Sequence, residues 1–193
     1  AFLAWNALQQ VIEGFPAETP FFSSIGLERV DLAPFHAIGP RLSGICPEIP
    51  PTLLPGLLWK AAGFSGPVFT QVAACAASAI AIGTAFRAIR SRLASCAVAG
   101  GVDSMLFPYG FHAFNSLGAL SEQNHLGPRA LAPFDLHRSG TILGEGSAYL
   151  AMENERSLET THRSPLAELI GFGSSMDAFH PVMIGTGNVS EYK

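Results

Sequence analysis

Apolar positions recur at helical spacing over residues 1–13, where Leu3, Leu8 and Val11/Ile12 share one side. Gly14 and Pro16 end that pattern. From 15 to 56 eight prolines interrupt any periodicity and predict short elements and irregular backbone, with one short helix near 52–62. After Gly66 the texture changes. Residues 67–73 predict a short strand, Cys75 follows, and 76–92 predict a helix. The first three turns of that helix carry only Ala, Ser, Ile, Gly and Thr, so it reads as buried on every side. Its end gains Arg87, Arg90 and Arg92, where cations suit the helix dipole. Residues 94–101 predict a second strand ending in a glycine turn, and 105–121 are apolar and loop-like. Residues 147–153 and 166–173 predict a third and fourth strand. Strand–helix–strand alternation argues for an α/β fold.

Composition sharpens this picture. The 193 residues suffice for one domain with a sizeable core. Apolar residues make up 48% and charged residues 13%, against about 25% charged in a typical soluble domain. That excludes disorder and predicts a surface partly covered by a partner or further chain. A net charge of −4 offers nothing to nucleic acid or an anionic membrane. The longest charge-free run, 61–86, holds Ser65, Pro67, Thr70, Gln71 and Ser78, and reads as buried strand plus helix rather than a membrane span. Residues 1–5 lack a basic region and Met, so they are no signal peptide and read as a start within a longer sequence.

Cys46, Cys75 and Cys96 are widely spaced, which argues against a disulfide framework or zinc site and makes a reducing cytoplasm the default. Cys75 stands where a strand meets a helix. A thiol there faces the positive end of the dipole and free N–H groups, both of which favour the nucleophilic thiolate. Ala73, Ala74, Ala76 and Ala77 let a ligand approach. The same position suits a structural cysteine in a tight core. Cys96 reads as core, and Cys46 lies in a Pro-rich loop. None of His36, His112, His125, His137, His162 and His180 is paired at metal-ligand spacing; His180 is a candidate to line a pocket. Gly144–Glu145–Gly146 reads as a tight turn, and no serine-hydrolase elbow is present.

Five segments carry a resemblance. They are 72–83 around Cys75; 99–103 (Ala-Gly-Gly-Val-Asp); 110–114 with 117–121 ("GF…ALS"); 133–140 with 143–146 ("PFD–RDG–LGEG"); and 169–180 ("GYGSSSDAYH"). In this order and spacing the chain resembles the β-ketoacyl synthases, from about Gly66 to His180. The resemblance implies a thiolase-like layered α/β/α fold of two similar halves, here incomplete. Residues 1–193 would be a partial N-terminal ketosynthase domain, with 1–65 a Pro-rich leading segment and 66–193 the core. It implies decarboxylative Claisen condensation, with Cys75 carrying an acyl thioester, and Phe111 and His180 contacting substrate. It implies no cofactor, since the substrates ride on phosphopantetheine. It implies an acyl carrier protein as partner, and a homodimer or a heterodimer with another ketosynthase-type chain.

The family's two catalytic histidines lie in "HGTGT" and "GH" segments, and neither segment occurs here. The chain alone is therefore expected not to complete the reaction. Ala73–Ala74 stands where Thr-Ala is common, Ser139 replaces the Asp of "RDG", and Pro181–Val182–Met183 replaces pantetheine-contacting Thr and Ser. Three alternatives accompany this reading: a non-catalytic chain-length-factor-like partner subunit, a thiolase-like enzyme of coenzyme A thioesters, and a fragment serving dimerisation alone.

Overall fold

The structure, a computed structural model, describes residues 2–25, 53–176 and 178. Its elements are α1 (Phe2–Gln9), β1 (Phe21–Ile25), α2 (Leu53–Ala61), β2 (Val68–Gln71), α3 (Ala77–Arg90), β3 (Cys96–Ser104), α4 (Pro108–Ser116), β4 (Glu145–Glu153) and α5 (Glu155–Thr161). Short 3-10 turns cover Ala74–Ala76 and Asn124–Ala130. The strands form one mixed sheet in the order β2-β1-β3-β4. β1 is parallel to β2 and β3, while β4 is antiparallel to β3. The sheet lies between α1 and α2 on one face and α3 on the other.

Alternation along β1 assigns the two cores, because successive side chains point to opposite faces. Phe21 joins Ala4, Leu8, Leu58, Trp59, Val98 and Tyr149. Phe22 joins Ala81, Ala85, Ala97 and Ala99 beneath α3. The next pair repeats the split in polar form. The Ser23 and Tyr149 hydroxyls bond each other at 3.0 Å, and those of Ser24 and Ser78 at 2.7 Å. Both strand serines are buried and both are satisfied. β1 belongs to the Pro-rich stretch for which the pattern predicts only short elements and irregular backbone. Its central place comes from flanking partners on both sides, with Phe21 paired to Val68 and to Val98.

Several expectations are corrected. Gly100 and Gly101, expected as a turn that ends the second strand, lie inside β3, paired to β1 and β4, and β2, expected to be buried, is only half-buried. α3 is not buried on every side: Ala77, Ala81, Gly83 and Ala85 are buried, while Ser78, Ala79 and Arg87 are exposed. What lies on its outer face among the described residues is Phe172. A Cβ on Gly83 would overlap its ring, and the Arg87 guanidinium sits 5.1 Å from the ring centre. The expected strand over 166–173 does not form. Its alternating apolar pattern needs a ladder partner; among the described residues it has none, and Leu166 and Ile170 are exposed. Conversely, 105–121 contains α4, started by Pro108 at a position where a missing N–H costs nothing.

Arg163 fastens the two ends of the described fold. Its guanidinium pairs with Glu153 at the end of β4, donates to the Glu13 carbonyl at 2.8 Å, and lies 4.2 Å from the centre of the Phe15 ring. Glu153 also accepts from the Ser157 and Thr161 hydroxyls.

Candidate active site

In an open α/β sheet, ligands collect beyond the carboxyl ends of the parallel strands. Three segments meet there: the end of β1 at Ser24, the turn after β2 at Cys75, and the end of β3 at Asp103. β1 separates β2 from β3, so their ends lie about 10 Å apart at ordinary strand spacing.

Cys75 sits at the centre of the 3-10 turn that converts β2 into α3, and its side chain is exposed. The thiol is not packed into the core of this structure. The turn is built without a capping side chain. The Ala76 N–H donates to the Ala73 carbonyl at 3.1 Å, and the Ala77 N–H to the Ala74 carbonyl. The Cys75 N–H stands outside this pattern. Ala74, immediately before the cysteine, has φ of +47°. A left-handed backbone at a residue with a Cβ costs about 1–2 kcal/mol, so a sharp elbow is imposed here by the structure on both sides. The elbow lifts Cys75 off the strand and aims the start of α3 at it. The alanines at 73–77 keep the approach open, as the sequence predicts.

Phe111 lies on α4, which follows the carboxyl end of β3, and is about half exposed. It shares this end of the sheet with Cys75. Asp103 is paired in register with Gly146 of β4; the Ser104 N–H donates to its carboxylate at 2.9 Å, and burial holds its carboxyl above the usual carboxylate range. The Ser104 hydroxyl donates to Glu145 at 2.9 Å. His180, Cys46 and His36 lie outside the described residues. Cys96 is buried at the start of β3, 3.5 Å from the Thr19 hydroxyl, in the core role expected of it. His112, His125, His137 and His162 are exposed. Among the described residues no His, Cys, Asp and Glu cluster suits a metal, and no helix is long and apolar enough to cross a membrane.

A cavity of about 740 Å³ opens at the other end of the strands. Pro20, Phe22, Pro67, Phe69, Thr84 and Cys96 line it, and Cys75 does not. Among the described residues the elbow does not contribute to it.

Sequence reasoning missed Ser24, Ser78 and Asp103. Ser78 did leave a signal, as the one hydroxyl in the Ala/Ile run 76–82 that opens the helix, one turn after the cysteine.

A family model described as the beta-ketoacyl synthase, N-terminal domain, matches residues 39–157. Over 128 residues the chain is 36% identical to a 3-oxoacyl-[acyl-carrier-protein] synthase 2 of Synechocystis sp., covering 65% of this chain and 31% of that protein. The chain thus spans about a third of the length of the curated relatives it matches. Its fold is similar to the ishigamide ketosynthase/chain length factor, with a TM-score of 0.70, 23% identity, and coverage of 89% of this chain and 43% of the other. It is also similar to a structure of a type II polyketide-synthase acyl-carrier protein in complex with its ketosynthase bound to the hexaketide. There the TM-score is 0.65 at 23% identity, covering 78% of this chain and 40% of the other. The layered sheet and helices are thiolase-like.

Proposed function

The chain belongs to the β-ketoacyl synthases through their N-terminal domain, and on that premise we propose that Cys75 is the nucleophile that takes up the acyl group of a condensing enzyme. The observation that carries this reading is the exposed thiol on the strained elbow between β2 and α3, inside the matched segment. Cys75 Sγ attacks the carbonyl carbon of an acyl thioester. The carbonyl–sulfur bond of the donor breaks, and the proton lost by Cys75 goes to the departing thiol. The Cys75 N–H, which makes none of the turn's own bonds, is assigned to stabilise the oxygen that bears charge in between. In the second half of the reaction malonyl on an acyl carrier protein loses CO₂. The carbanion so formed attacks the Cys75 thioester and releases the thiolate. Phe111 and His180 are assigned to substrate contact.

The part of the reaction assigned to Cys75 is the acyl-thioester half. An acyl carrier protein and a second ketosynthase-type chain are the proposed partners. The test is labelling with a thiol-reactive acyl analogue, read by peptide mass spectrometry. Selective labelling of Cys75 over Cys46 and Cys96, lost in Cys75→Ala, supports the proposal. Absent or equal labelling overturns it and leaves a non-catalytic, chain-length-factor-like subunit. Native and denaturing masses of one sample then show whether a different polypeptide accompanies the chain.

A further inference from the structure

Ser24 is 1% exposed, at the end of the central strand, and its hydroxyl meets that of Ser78 at 2.7 Å. Ser78 is three residues after Cys75, a single turn along, on the same side of the helix start. Space for the pair is made by the neighbouring strand. Gly101 is the register partner of Ser24 on β3, and a Cβ there would overlap the Ser24 hydroxyl and stand 2.7 Å from that of Ser78. Three elements thus converge on one bond.

A hydroxyl pair is an odd choice for an alanine-lined contact, because two alanines would pack there without any polar group to satisfy. What the bond adds is direction. Ala81 and Ala85 offer the sheet smooth, small contacts that fix how closely α3 lies but only weakly how far it rotates or slides. No side chain caps the turn at Ala73 or the helix at Ala76. Among the described residues the Ser24–Ser78 bond is the one side-chain hydrogen bond joining the first turn of α3 to the sheet.

Resting on the nucleophile assigned above, we propose that Ser78, held by Ser24, is a positioning residue that sets the orientation of the Cys75 thiol and N–H towards an incoming thioester. The two groups must be aligned together for acyl transfer, whereas simple alkylation needs only an accessible thiol.

The experiment compares two rates at Cys75, both on the full chain: alkylation by iodoacetamide and acylation by octanoyl-N-acetylcysteamine. In acylation the octanoyl group passes to Sγ and the Cys75 proton to the released thiol. Ser78→Ala and Ser24→Ala are each expected to lower acylation on the order of tenfold while alkylation stays within about twofold. The double variant is expected to be no slower than either single one, since one bond is lost in all three. Circular dichroism identifies any variant that has lost its fold; Ser78→Ala, at an exposed position, keeps the test open if Ser24→Ala does not fold. An unchanged acylation-to-alkylation ratio in Ser78→Ala overturns the inference alone. A wild-type chain that is alkylated at Cys75 but never acylated overturns the nucleophile assignment, and this inference with it.

Discussion

On one face of the sheet Phe21 is stacked on Trp59 at 4.5 Å and tilted against Tyr149 at 5.3 Å, and Phe64 closes over Trp59 at 4.1 Å. On the other face the buried residues below α3 are alanines, with Phe22 alone among them as a large side chain. Interlocked rings bury much apolar area and resist sliding. Alanines bury little but let a helix backbone come close to the strands. The nucleophile's helix is on the alanine face. The fold therefore draws its stability from one side of the sheet and its reach, from elbow to central strand, from the other.

The contrast is broken most severely at Trp59. Trp59→Ala removes a fully buried ring between two others, and a loss of about 3–5 kcal/mol is expected in denaturant titration. Cys75 labelling per folded molecule should be unaltered. Ala85→Leu attacks the other face. Overpacking of about 1–3 kcal/mol is expected, and by lifting α3 it should slow Cys75 acylation even in molecules that remain folded. Rates equal to wild type would show that close approach of this helix is dispensable.

Tyr149→Phe is smaller. It leaves the buried Ser23 hydroxyl without its partner and should cost about 1 kcal/mol in thermal melts. Adding Ser23→Ala should recover part of that loss. Smallest is Asp103→Asn. Burial raises this carboxyl above its ordinary 3.8, and the Ser104 N–H opposes the shift in part. The folded chain thus keeps the proton to higher pH than the unfolded one. Its contribution to stability is present below pH 3.8 and fades as pH rises through the folded value. Asp103→Asn should raise the melting temperature at pH 7 and leave it unchanged at the acid end. Equal shifts at both would exclude desolvation as the cause.

Elements whose own residues carry a period were legible: α1, α2, β2, α3, β3 and β4 all fall where spacing predicts them. β1 was not, because its Phe-Phe-Ser-Ser-Ile run makes sense only once Tyr149 and Ser78, remote in sequence, satisfy its hydroxyls. α5 was hidden in a polar stretch, although Asn154 caps it by accepting from the Ser157 N–H at 2.8 Å. At the site, the strand–helix junction exposed Cys75 to sequence reasoning. The left-handed Ala74 did not show, since nothing about an alanine announces positive φ. Ser24 did not show either, because its contact bridges 54 residues.

The clamp at Arg163 sets a timetable. α1 is the first of the described elements, yet it packs against β4, and the loop after it is tied down by a residue 150 positions later. A ribosome adding about 5–20 residues per second needs on the order of 8–30 s to cover that distance. Through that interval Ala4 and Leu8 meet their native surface piecemeal: Phe21, Trp59 and Val98 come first, and Tyr149 of β4 only near its end. During synthesis α1 precedes every strand of the sheet, and its fastening is completed only once β4 and Arg163 have been added.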